Sequence, residues 1–507
     1  MVFKMGWSVY ALCWSLLTAS IVYSDSNSTT THSKILSGSG PFNPPMNFVN
    51  RNIQQTYDFS KSYVRISATI SFENIASSAQ TQYYIPFGSE TLASIGGIQA
   101  KVKGGTERCS ITLMELDPSS PFQLYQINLT SPLPPKSKQV LQLAYTIRDA
   151  LAPIPKAIAQ SNAQQYLQAN LSAQLSSCYA TDKQSTIMRF PSANIPDFTI
   201  IPNPASGGKE FPDVRGRELT YGPWLNVPPN SLRPVEVRYE YTHPLAFIPS
   251  LIRNIEVSHW GGNVAFEEHY ELTNLAARLS KQFSRTEFQK SSYYTAGYSA
   301  PTTALKGLGI SLPPGTLDAY FTDDIGNVST SRFRSNEKEA MFEIRPRYPL
   351  FGEWRYKFRI GWDNNLNRFL RTRKGQRNSL LLQVPFIEGP RNPEGTQYGD
   401  VQVNVILPEG ATNVKYAVPA ELQTAILSDE ITTHSSFLDT LGRTNLRIRA
   451  RNLNDEMSGK NLLVTYDYDR LAGTRKPFNI LLLCLILFFS AGLLKSKNYS
   501  IGAKTPG

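Results

Sequence analysis

Any bond-making chemistry in this chain would have to come from its five histidines, its paired carboxylates or its glycine pairs. His243, His259 and His269 lie in or beside stretches that alternate like strands, and no HExxH, GxSxG, P-loop or dinucleotide fingerprint accompanies them. Glu267, Glu268 and His269 are consecutive on one such stretch. Neighbours on a strand face opposite sides, so they cannot form the i, i+4 ligand pair that a helix offers. Asp323-Asp324 could offer two carboxylates to a cation, but a calcium loop needs further oxygen ligands in register, and Asp-Asp before Gly326-Asn327 is a turn signature. Gly96-Gly97 and Gly261-Gly262 could approach a phosphate, yet neither is followed by the helix and lysine that would hold it, and hairpin turns suffice. The absence of CxxC or Cys/His clusters argues against structural zinc. No catalytic, metal or cofactor residue stands out, and the pattern is that of a binding or assembly module.

The elements that would carry these residues are mostly strands. Aromatic residues make up 11% of the chain, 25 of them Tyr, which favours sheets over helical bundles. Val64-Arg-Ile-Ser-Ala-Thr-Ile-Ser-Phe72 places a bulky apolar residue at almost every second position. Pro and Gly clusters at 132–135, 202–208, 228–234, 313–315 and 389–395 break the chain at intervals that suit sheet sandwiches. Ile158 to Leu175, dominated by Ala, Gln and Leu, predicts a helix.

An internal similarity points to duplication. Ile70-Ser-Phe-Glu-Asn-Ile-Ala76 resembles Tyr270-Glu-Leu-Thr-Asn-Leu-Ala276 at an offset of 200, and Val235-Glu-Val-Arg-Tyr-Glu-Tyr241 resembles Leu462-Leu-Val-Thr-Tyr-Asp-Tyr468 at an offset of 227. Two related domains differing by loop insertions would give such offsets, with a boundary near Pro244 to Ser250. The expectation is a mainly β protein with two related β-sandwich-like domains, residues 25–246 and 247–476, some helix, and one C-terminal transmembrane helix.

The chain ends set the compartment. Lys4 precedes a short apolar stretch from Trp7 to Val22, and Val22-Tyr23-Ser24 offers a cleavage site, so residues 1–24 read as a signal peptide. Phe478 to Leu494 carries no charge and is flanked by Arg475, Lys476, Lys495 and Lys497. It reads as a membrane-spanning helix over 477–494, its short length suited to the thin ER bilayer, followed by a short cytosolic tail, 495–507. Basic residues on both sides leave the orientation to the signal peptide, which places the bulk of the chain in the lumen as a single-pass type I protein. Ser490-Ala491-Gly492 would let another helix approach closely.

The net charge of +11 is spread through strands that carry Arg345, Arg347, Arg355 and Arg359, with no nucleic-acid-binding motif, so no nucleic acid partner is expected. Asn-X-Ser/Thr acceptors stand at Asn27, Asn128, Asn170 and Asn327 within the inferred lumenal part; Asn498 also matches but lies beyond the helix. Of four cysteines, Cys13 and Cys484 lie in the apolar end segments. Cys109 and Cys178 remain, either as one disulfide or as two buried thiols.

Ile255-Glu-Val-Ser-His-Trp-Gly-Gly-Asn-Val-Ala-Phe-Glu-Glu-His269 resembles the segment that opens the second lumenal domain of the ribophorin I family. Asp324 to Ser331, Glu343 to Trp354, Ile406 to Gly410 and Leu438 to Arg443 resemble further family segments in the family's order. The short tail is similar to that of fungal members; animal members carry a cytosolic domain there. The resemblance implies a non-catalytic alpha-type subunit of the oligosaccharyltransferase, which moves an oligosaccharide from dolichol diphosphate to Asn in Asn-X-Ser/Thr. Implied partners are the catalytic polytopic subunit, small membrane subunits, nascent polypeptides and the ER membrane. The implied work is complex assembly and acceptor presentation. The competing readings are an ER lumenal cargo receptor or chaperone outside the complex, and a metallopeptidase-like or glycan-processing enzyme.

Overall fold

The computed structural model describes residues 42–105, 107–114, 122–160, 164–202, 210–293, 302–373, 375, 378–435, 439 and 441–496. The expected signal segment 1–24, Cys13, Asn27 and Asn498 lie outside them. Apolar alternation is realised as sheet: in Val64–Asn74, Val64, Ile66, Ala68, Ile70 and Phe72 are buried and the residues between them are not.

Among the described residues, a seven-stranded sheet runs in spatial order Asp213–Arg215, Glu218–Val227, Thr181–Arg189, Phe48–Asp58, Val64–Asn74, Lys138–Ile147, Ile95–Val102. An eight-stranded sheet runs Ile426–His434, Arg443–Asn454, Thr396–Ile406, Ala246–Ser258, Asn263–Asn274, Arg355–Asn365, Leu317–Asp323, Gly326–Asn327. The first seven strands of the second sheet follow the order of the first. Each sheet is centred on an antiparallel hairpin whose first strand also makes a parallel pair, Phe48–Asp58 with Thr181–Arg189 and Ala246–Ser258 with Thr396–Ile406.

The smaller sheets repeat as well. Gln80–Gly88, Phe122–Leu133 and Ser110–Leu113 have the order of Leu308–Leu312, Ala340–Ile344 and Arg332–Ser335. Leu151–Ile154, Tyr166–Ser172, Pro234–Glu240 and Asp197–Phe198 have the order of Leu370–Thr372, Ser379–Pro385, Asn461–Tyr468 and Ala411–Ala417. One parallel pairing at the same place in two otherwise antiparallel frameworks is a strong topological coincidence, because such a pair needs a long crossover. Equivalent side chains do equivalent work. Asn74, fully buried, donates to the Leu133 carbonyl and accepts from the Ala76 N–H; Asn274, fully buried, donates to the Leu350 carbonyl and accepts from the Ala276 N–H. Each unit buries its own core, one from Phe48 to Leu245 and one from Ala246 to Ala472.

The expected helix over 158–175 is not formed. Tyr166–Ser172 is a strand between Pro234–Glu240 and Leu151–Ile154, with Leu167 and Ala169 in the core. The buried Gln165 donates to the Tyr241 carbonyl and accepts from the Ala277 N–H at 2.7 Å, so neighbours on two strands claim this segment and override its helical composition. Gly96-Gly97 is likewise no hairpin turn. It forms a register shift inside Ile95–Val102, where a Cβ on Gly96 would collide with the Asn452 carbonyl of the other unit.

The two units meet through polar contacts. Tyr63 donates to Asp455, Lys61 pairs with the same carboxylate, Gln397 donates to the Ser62 carbonyl, and Asn452 donates to the Ala93 and Ile95 carbonyls. After the last strand a short 3-10 turn, Arg470–Thr474, leads into the helix Arg475–Ser496. The apolar span Leu471–Leu493 covers 23 residues at a mean hydropathy of 1.9, and beyond Ala472, which packs into the second core, none of its residues is buried. Its length of roughly 33 Å is enough to cross a membrane.

Candidate functional site

His243, His259 and His269 each have a side-chain neighbour within the fold. His259 stacks on Tyr468 with ring centroids 4.4 Å apart and shares a hydrogen bond with the Tyr466 hydroxyl at 2.8 Å; burial lowers its pKa. His269 and Glu267 share the open face of the strand at 2.7 Å, and Tyr320 donates to the same carboxylate at 2.6 Å. His243, half exposed, faces Glu394 at 3.8 Å. Asp323 caps its turn by accepting the N–H groups of Ile325 and Gly326, and its remaining lone pairs take Arg347 and the Tyr356 hydroxyl. Arg347 holds this carboxylate down at about 2. With four donors around it, Asp323 organises a turn and is not set up to ligate a cation. Gly261-Gly262 is the hairpin turn between Ser258 and Asn263. Among the described residues no group of three or more His, Cys, Asp or Glu side chains could hold a metal.

A charged cluster that no sequence motif marks lies inside the second core. Arg253 and Glu268 are paired across Ala246–Ser258 and Asn263–Asn274, and both are fully buried. The Arg253 guanidinium lies over the Phe266 and Trp362 rings, Tyr270 donates to Glu268 at 2.6 Å, and Glu388 approaches Arg253 at 3.7 Å. Burial pushes Glu388 up to about 7, against the opposing pull of Arg253. The sequence did carry a signal. Arg253 stands in phase with Leu251, Ile255 and Val257, and Glu268 with Phe266 and Tyr270, all of them buried. This cluster is sealed from solvent, so it shapes the core and offers no ligand site.

An open site lies at the root of the apolar helix. One groove is lined by His259, Trp260, Pro408, Glu409, Arg443, Ala472, Gly473 and Lys476 among others. It continues into another of about 420 Å³ bounded by Trp260, Leu370, Thr372, Leu380, Tyr468 and Gly473. Small residues fix the root: a Cβ on Gly410 would press on Ala472, and one on Gly473 would stand 2.9 Å from the Tyr468 hydroxyl. Asp469 caps the 3-10 turn by accepting the Leu471 N–H, and Lys476 pairs with Asp439 at 2.5 Å. The helix therefore leaves the second core as a fixed extension of it.

The acceptor asparagines are scattered. Asn170 is exposed on Tyr166–Ser172, Asn327 is exposed at the turn after Asp323, and Asn128 is half-buried, donating to Ser110 and accepting from Gln126. Cys109 and Cys178 are separate buried thiols in the first core. Burial raises the Cys109 pKa and pushes Cys178 up to about 12.

With this geometry in place, comparison with known proteins assigns the lineage. The family model described as Ribophorin I matches residues 48–495, which takes in both β units and the apolar helix. The chain belongs to the ribophorin I family. Among the relatives of this ribophorin I family chain is a rice (Oryza sativa subsp. japonica) protein named dolichyl-diphosphooligosaccharide--protein glycosyltransferase subunit 1B. It is 30% identical over 86% of this chain and 89% of its own. The Caenorhabditis elegans protein named subunit 1 of the same enzyme is 30% identical over 87% of this chain and 70% of its own. The Schizosaccharomyces pombe subunit 1 is 27% identical over 83% and 89%. Among solved structures, native yeast LTA4 hydrolase covers 41% of this chain and 31% of its own at 11% identity and a TM-score of 0.25, too low to carry an argument.

Proposed function

We propose that this chain is a non-catalytic subunit of the oligosaccharyltransferase of the ER membrane, acting in protein N-glycosylation by supporting complex assembly and acceptor presentation. The carrying observation is that relatives named as subunit 1 of this glycosyltransferase align with most of the chain. The structural employment of His243, His259, His269 and Asp323 supports the non-catalytic part. In this reading residues 1–24 are a cleaved signal, the two β units are lumenal, and the apolar helix is the single span. Its partners there are the catalytic polytopic subunit and the small membrane subunits, and the small residues Ser490, Ala491 and Gly492 permit close helix approach. The lumenal acceptor sites Asn170 and Asn327 carry glycans.

The direct test is transfer of oligosaccharide from a dolichyl diphosphate donor to an Asn-X-Ser/Thr peptide. The purified chain alone transfers none, whereas membranes depleted of it lose transfer and regain it on re-addition. Transfer by the purified chain would overturn the non-catalytic reading, and full activity after depletion would overturn the subunit reading.

A further inference from the structure

We propose that the membrane-proximal end of the second unit is a seat for the lipid surface. Trp260, Leu441 and Leu471 enter the head-group layer and fix how the two-unit body stands on the bilayer. The inference rests on reading Leu471–Leu493 as a membrane span.

The three side chains come from three different parts of the chain and are unusually exposed, Trp260 at 71%, Leu441 at 70% and Leu471 at 73%. Trp260 sits at a hairpin tip. Gly262 turns the chain at φ +68°, the Gly261 N–H donates to Ser258, and His259 is drawn inward onto Tyr468, which leaves the next side chain pointing out. Leu441 is held beside the helix root by its own N–H, which donates to Glu409 at 2.7 Å, and by the neighbouring Lys476–Asp439 pair. Leu471 is the first residue of the apolar span.

A single exposed apolar residue is ordinary. Here one groove brings Trp260 and Glu409 together with Ala472, Gly473 and Lys476, which belong to the first six residues of the span. Whatever surrounds the start of the span therefore also surrounds Trp260 and Leu441. Continuity with the span argues for lipid as the occupant. An indole with its apolar body and N–H suits the boundary between acyl chains and head groups, and Arg475 is long enough to reach phosphate from just inside it. Because Ala472 belongs to the second core, the seat and the span hold the body at two points instead of one.

The test is site-directed spin labelling of the full chain in phosphatidylcholine vesicles. Labels are placed through Trp260→Cys, Leu441→Cys, Leu471→Cys, Leu487→Cys and Ile325→Cys in a Cys13→Ser, Cys484→Ser background. Ile325, 78% exposed, lies at the other end of the second sheet and serves as the aqueous reference. Positions 260, 441 and 471 are expected to show collision rates with oxygen several-fold above, and with a water-soluble nickel chelate several-fold below, those at 325. Labels at 260 and 441 that match 325 while 487 reads hydrocarbon would overturn the seat and leave the span. Low access to both reagents at 260 would mean that protein covers the site, and would also overturn it. A label at 487 that reads water would remove the span itself.

Discussion

The Tyr63 hydroxyl donates to Asp455 at 2.7 Å, joining residues 392 apart in sequence across the boundary between the two β units. Lys61 reaches the same carboxylate at 3.1 Å, and the Asp455 side chain is only 8% exposed. Removing Asp455 leaves the buried Tyr63 O–H without its acceptor, although the oxygen still accepts from Lys61 at 3.1 Å. Asp455→Ala is expected to cost about 2–3 kcal/mol, and Asp455→Asn, which keeps an acceptor, clearly less. Urea unfolding in mild detergent measures both, and equal losses would show that the hydrogen bond contributes nothing.

Glu388 makes stability pH-dependent in the direction opposite to an ordinary ion pair. Its carboxyl titrates near 7 when folded, so the native state holds a proton that the unfolded chain releases at about 4.3. The native advantage is complete below that lower value and is lost as pH rises towards 7. Glu388→Gln should flatten the fall in melting temperature between pH 5 and pH 7, and an unchanged slope would contradict the assignment.

Asp323 works the other way. Its folded pKa of about 2 lies below the usual carboxylate range, so its contribution is present above about 4 and disappears as pH falls through 2. Asp323→Asn is expected to melt earlier than the parent at pH 7, with the gap closing in strong acid. A gap that persists at pH 2 would show that the Arg347 charge is not its source.

Cys109 and Cys178 should be unreactive in the native protein, since both are buried and their pKa values are raised. Peptide mapping after maleimide treatment is expected to find neither modified before unfolding and both modified after it, without reductant. Recovery of a linked peptide pair would show instead that they are bridged.

Alternation made the sheets legible in the sequence, and two short similarities, around Asn74 and Asn274 and around Tyr239 and Tyr466, marked strands that occupy equivalent places in the two units. What escaped was decided by distant neighbours. Tyr166–Ser172 has helical composition but is claimed by strands on both sides, and Gly96 is small because Asn452 of the other unit presses on it. Arg253 and Glu268 were visible only to a reading that asks which charges fall in the apolar phase of a strand. Trp260 was noticed as part of a motif, but its place beside the helix root follows from the contact between His259 and Tyr468, which are 209 residues apart by their numbers.

The most direct test of the account is affinity purification of the full chain from membranes in mild detergent, with native mass measurement of what accompanies it. Stoichiometric recovery with a polytopic glycosyltransferase subunit and small membrane proteins is expected. Recovery as a free monomer would contradict membership in the complex and favour a receptor or chaperone acting alone.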